Sequence, residues 1–169
     1  YEVELTRAFA EHLGVPVRFE VKDDLRGVLA AIADGRGHIA AAGITRTEIR
    51  EDFYTFAPSY KTVREQVVCR RFGARVRSPE DLADVELAVV GGSSYEETLR
   101  GLKEDHPEIS WRPVEAPSAM PLLEQVQEER LDCTVADSNL VSHARLRFPE
   151  LLTPLDLASE RSLAWIVAP

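Results

Sequence analysis

The sequence predicts an α/β fold of two similar lobes, and three observations carry that prediction. Short helices alternate with short strands. The order strand–helix–strand occurs over residues 17–43 and again over residues 110–137. Residues 53–71, which join the two halves, are apolar and aromatic instead of Gly/Ser-rich, so they read as an ordered crossover. Alternation of this kind implies mostly parallel sheets.

The elements follow in chain order. Val3, Leu5, Ala8, Phe9 and Leu13 share a helical face, and Gly14 supplies the stop. Val15, Val17, Phe19 and Val21 alternate with polar residues, the period of a strand. Leu25, Val28, Leu29 and Ile32 mark a second helix ended by Gly35, and residues 39–42 form a buried strand running into Gly43. The second half opens on a strand at 87–90 and the turn Gly91-Gly92-Ser93-Ser94. A helix at 95–105, a strand at 109–114, a helix around Leu122, Leu123 and Val126, and a strand at 131–136 ending on Asp137 complete it. A last strand at 163–167 returns the chain. Two crossovers predict a hinge with a cleft between lobe 1 (residues 1–61, rejoined by 160–169) and lobe 2 (residues 62–159). The first half has no counterpart of the strand at 87–90. A parallel sheet lacking that strand has an open edge, so a first strand preceding Tyr1 and absent from this sequence is expected. The chain, opening on a helix, reads as a piece of something longer.

The 169 residues bury a core without staples. A net charge of −9 argues against a nucleic-acid partner. No run approaches the roughly 20 apolar residues of a membrane helix. The four histidines and two cysteines show no ligand spacing, so neither a metal nor a cofactor is expected. Cys69 and Cys133 lie in apolar runs and read as buried free thiols, with a disulfide as the alternative.

Three places combine residues suited to ligand binding. Gly43-Ile44-Thr45-Arg46-Thr47-Glu48-Ile49-Arg50 follows a buried strand, at the sheet edge where α/β folds bind ligands. Gly43 permits close backbone approach, Thr45 offers a hydroxyl, and Arg50 a guanidinium fork for a carboxylate. The plainer reading is a helix start with Thr47 as N-cap and Arg50 solvated. In Gly91-Gly92-Ser93-Ser94-Tyr95-Glu96-Glu97, Ser94 and Glu97 fit a capping box, and the N–H groups there suit an anion. Asp137 ends an apolar strand: either a residue favoured by the dipole of the next helix or a carboxylate for a cation. Together they describe a zwitterion receptor. No catalytic constellation is visible: Ser93 and Ser94 lie outside a nucleophile elbow and no histidine accompanies them.

Residues 41–50 followed by Phe56-Ala57-Pro58-Ser59-Tyr60 resemble the signature of type II periplasmic solute-binding proteins for amino acids. Gly92-Ser93-Ser94-Tyr95-Glu96 resembles their second-lobe turn, and Ala136-Asp137-Ser138 their ammonium-binding aspartate. More narrowly, residues 91–99, residues 134–139 and Leu163-Ala164-Trp165 resemble the N-terminal domain of the membrane-bound lytic murein transglycosylase F family. The resemblance implies a type II periplasmic-binding fold and a non-catalytic, regulatory domain that binds an amino acid or cell-wall peptide. Arg50 would hold the ligand carboxylate with Thr45, Ser93 and Ser94; the Gly43 carbonyl and Asp137 would hold its ammonium; Leu25 would face its side chain. The resemblance also implies a monomer in the periplasm, a catalytic domain after Pro169, and a parent attached to the outer membrane. The alternatives are a stand-alone receptor of an ABC transporter, a cyclohexadienyl-dehydratase-like enzyme, and a sensor-kinase input domain.

Overall fold

A computed structural model describes residues 1–168, Ser159 by its backbone alone. In chain order the elements are α1 (Glu2–Leu13), α2 (Leu25–Ala33), β1 (Ile39–Ala40), α3 (Glu48–Glu51), β2 (Thr55–Phe56) and β3 (Lys61–Arg70). A 3-10 turn (Pro79–Asp84) precedes β4 (Leu87–Val90), α4 (Ser94–Asp105), β5 (Arg112–Val114), α5 (Met120–Gln127) and β6 (Cys133–Asp137). Then come α6 (Ser138–Ala144), β7 (Leu151–Leu163) and β8 (Ile166–Val167). The chain divides into two compact units: Tyr1–Thr62 with the segment from Ser162 onward, and Val63–Arg161. Covalently, it passes between them within β3 and near the end of β7.

In the first unit, β8 lies between β1 and β2 and is antiparallel to both. Its core is Ile32, Ala40, Ile44 and Ile166, flanked by Leu25, Val28, Leu29, Tyr54 and Phe56. Asp24 caps α2, its Oδ1 accepting from the Gly27 N–H at 2.7 Å. α1 is tied down by Glu2, which accepts hydrogen bonds from the Trp165 indole at 2.9 Å and from the Tyr60 hydroxyl. Phe9 meets the Trp165 ring edge-on, with centroids 5.6 Å apart. The strand expected at residues 15–21 is not formed: the segment carries no strand assignment and Val15, Val17, Phe19 and Val21 are all exposed. A strand requires a neighbouring ladder, and this one finds no strand pairing among the described residues.

The second unit holds one mixed sheet in the order β5-β4-β6-β3-β7. β4 runs parallel to both β5 and β6, whereas β3 is antiparallel to β6. β4 and β6 are buried throughout, as parallel strands covered by helices must be. Val67, Val89, Leu99, Leu122, Leu123, Val135 and Leu151 have no exposed surface and form the centre of this core.

The reading of Cys69 and Cys133 as free thiols is corrected: they form a disulfide. The antiparallel register of β3 and β6 places Cys69 directly opposite Cys133, with Cα atoms 4.4 Å apart. That is the spacing of a non-hydrogen-bonded cross-strand pair, close enough to bridge.

Candidate functional site

The first unit presents Gly43, Thr45 and Arg50 on the connection between β1 and α3. Gly43 has φ +60°, and a Cβ built there meets nothing within 4 Å. Its requirement is therefore left-handed backbone, not the close approach expected from sequence. The turn feeds Thr45 into a bridge with Leu163, flanked by Ala164 N–H to Ile44 O at 3.0 Å and Arg46 N–H to Ser162 O at 2.8 Å. Thr47 caps α3, its Oγ1 accepting from the Arg50 N–H at 3.3 Å. Arg50 is not solvated, as the plainer reading had it: it is 4% exposed, and its Nη1 donates to the Thr45 carbonyl at 2.8 Å. A buried guanidinium needs acceptors, and the Thr45 carbonyl is one of them. Leu25, the first residue of α2, packs against the unit's own core.

The second unit presents Ser93, Ser94 and Asp137 at the ends of β4 and β6. Ser93, not Ser94, is the N-cap residue of α4, and its hydroxyl donates to the Val90 carbonyl at 2.6 Å. The Glu96 carboxylate reaches back, its Oε2 accepting from the Gly92 N–H at 2.6 Å. With Ser93 as cap, Glu96 is the third helical residue, and its side chain reaches past the cap to the Gly92 N–H. Both serines are buried.

Asp137 is 8% exposed and occupies the N-cap position of α6, yet makes no side-chain cap hydrogen bond. Its place at the start of α6 is the one the dipole reading gave it, without a capping hydrogen bond from its side chain. The Asp137 N–H donates to the Tyr95 Oη at 3.3 Å. Burial above all, then the negative charges of Asp137 and Glu65, push the Tyr95 phenol well above its ordinary range, so it remains protonated beside them.

Sequence reasoning missed Glu65. It lies on β3 opposite Asp137, with no exposed surface. The signal was present: Val63, Glu65, Val67 and Cys69 fall on one face at period two, and only Glu65 among them is charged. Thr98 and Arg161, which surround Glu65, were also missed.

The fold and the family match define a domain of the solute-binding class. Residues 1–109 match the model of the bacterial extracellular solute-binding proteins, family 3, and the chain belongs to that family. Its curated relatives are more particular. The chain is 49% identical over 165 residues to membrane-bound lytic murein transglycosylase F of Maricaulis maris (strain MCS10), covering 98% of this chain and 36% of that protein. It is 40% identical over 168 residues to transglycosylase F 1 of Alkalilimnicola ehrlichii, covering 97% of this chain and 33% of that protein. The chain thus spans about a third of the length of these relatives. Among solved structures, an ancestral arginine-binding protein bound to arginine superposes with a TM-score of 0.86 at 22% identity, covering 99% of this chain and 73% of that one. Holo ArgBP from T. maritima gives 0.85 at 20% identity, covering 99% and 72%. These similarities establish the type II periplasmic-binding fold.

Proposed function

We propose that this chain is a non-catalytic ligand-binding domain for an amino acid or a short cell-wall-derived peptide. Arg50 and Thr45 take the ligand carboxylate, assisted by the Ser93–Ser94 turn. Asp137, with the Gly43 carbonyl, takes its ammonium, and Leu25 contributes to the side-chain environment. The observation that carries this reading is the match to the solute-binding family, with Asp137 buried where β6 passes into α6, the position the family resemblance gives to the ligand ammonium.

The identity to transglycosylase F proteins supports a place within a longer murein transglycosylase; the same proposal takes the domain as regulatory, periplasmic and monomeric. The disulfide supports an oxidising compartment such as the periplasm. Calorimetric titration of the full-length protein with the common L-amino acids and with muropeptides tests the reading. Saturable binding of a zwitterion is expected; no response to any of them, with a sugar or inorganic anion bound instead, would overturn it.

A further inference from the structure

The two units repeat one order of elements, and the comparison singles out a groove in the first. In the second unit β5, β4, β6, β3 and β7 lie side by side in that order; β4 is parallel to β5 and β6, and β3 is antiparallel to β6. In the first unit β1, β8 and β2 lie side by side, and β8 is antiparallel to β1. β1 follows α2 as β6 follows α5, and β8 stands beside β1 as β3 stands beside β6. By the same succession α1 answers to α4, and residues 15–21 answer to β5. The edge of β1 away from β8 pairs with no strand among the described residues. Residues 39–42 line a cavity of about 490 Å³, which Arg18 and Phe19, Thr6 of α1, and Val28 and Ile32 of α2 also line. The cavity thus adjoins both β1 and the segment 15–21, the relation that β4 has to β6 and β5.

We propose that this groove takes one further β-strand, parallel to β1, supplied by the polypeptide upstream of Tyr1. Val15, Val17, Phe19 and Val21 alternate with polar residues, yet all four are exposed: the pattern of a strand without its ladder. A strand in the groove pairs with this segment on one side and with β1 on the other. The first unit then has the same five-stranded order as the second. Connectivity favours an upstream donor. α4 is entered from β4 across residues 91–93, and α1, its counterpart, begins at Glu2, so a strand in the groove leads into α1 by the same kind of connection. A second copy of the protein fits less well, because a groove bounded on both sides admits a single strand, not the edge of a folded sheet. β4 is buried at all its positions, so the residues of the new strand that face α1 and α2 are apolar.

The test is hydrogen exchange, read by mass spectrometry, on the full-length protein and on a variant lacking the residues upstream of Tyr1. In the full-length protein the amides of residues 17–21 and 39–42 are expected to exchange on the order of a hundredfold more slowly than open chain, as amides in a paired ladder do. In the shortened variant these residues are expected to lose that protection, while residues 87–90 and 133–137 of the second unit keep theirs. Open-chain exchange of residues 17–21 in the full-length protein would overturn the proposal, whether or not the variant folds. Protection that survives the deletion would overturn it as well, and a rise of that protection with protein concentration would assign the groove to a second copy. The inference concerns the first unit's sheet, so its outcome does not depend on whether an amino acid binds.

Discussion

Cys69 of β3 and Cys133 of β6 are directly opposed across an antiparallel ladder and joined by a disulfide, closing a separation of 64 residues. The loop so closed runs through β4, α4, β5 and α5, most of the second unit. Cross-linking a chain over that distance removes disorder from the unfolded state, worth about 4 kcal/mol on the chain-entropy account. The Cys69→Ala/Cys133→Ala variant, and the reduced wild type, are expected to unfold at clearly lower urea concentration. Coincident urea midpoints for oxidised and reduced protein would count against a structural role for the bond.

This pairing was not legible in the sequence, because it depends on the register of two strands far apart in the chain. Position along the chain says nothing about which residue of β3 faces which of β6. The alternation at residues 15–21 was legible as a pattern, but pattern alone does not make a strand without a ladder partner. The β4–turn–α4 succession, Gly43, and the acid ending β6 were readable from local signals: an apolar run, a turn, a helix start. The burial of Arg50 was not, since it depends on how the Thr45 carbonyl is turned toward its side chain.

Arg50 serves the fold as well as the proposed ligand. Arg50→Ala removes the Nη1 donor to the buried Thr45 connection, which is expected to cost about 1–3 kcal/mol of stability. Carboxylate-ligand affinity is expected to fall by roughly 2–5 kcal/mol in the same variant. Thr47→Ala provides the contrast: it loses the α3 cap, costs about 1 kcal/mol, and leaves affinity intact. Melting temperature and calorimetric affinity, measured on both variants, separate the two effects.

Gly43→Ala forces a Cβ into left-handed backbone although the space around it is open. The expected penalty is strain of roughly 1–2 kcal/mol, not steric exclusion. A drop in melting temperature is therefore predicted. Replacement by Asn, which tolerates this conformation better, should recover part of it; equal losses for Ala and Asn would contradict the assignment.

Tyr95 makes stability fall at alkaline pH. Its folded-state phenol is raised well above its ordinary value of about 10, by burial and by the Asp137 and Glu65 charges. The folded state thus keeps a proton that the unfolded state releases. This leaves stability untouched below about pH 10 and lowers it as pH rises beyond that value. Urea unfolding of wild type and Tyr95→Phe between neutral pH and pH 11 checks the sign. Wild type is expected to lose stability more steeply above about pH 10, and parallel curves would contradict it.

If Asp137 is the counter-charge of a ligand ammonium, Asp137→Asn removes that charge from a side chain with no cap hydrogen bond to lose. Amino-acid affinity is to be measured by calorimetry on wild type and Asp137→Asn, with melting temperatures recorded in parallel. An affinity loss of about thirtyfold or more is expected, with the second unit still folded. Full affinity retained in Asp137→Asn would contradict it.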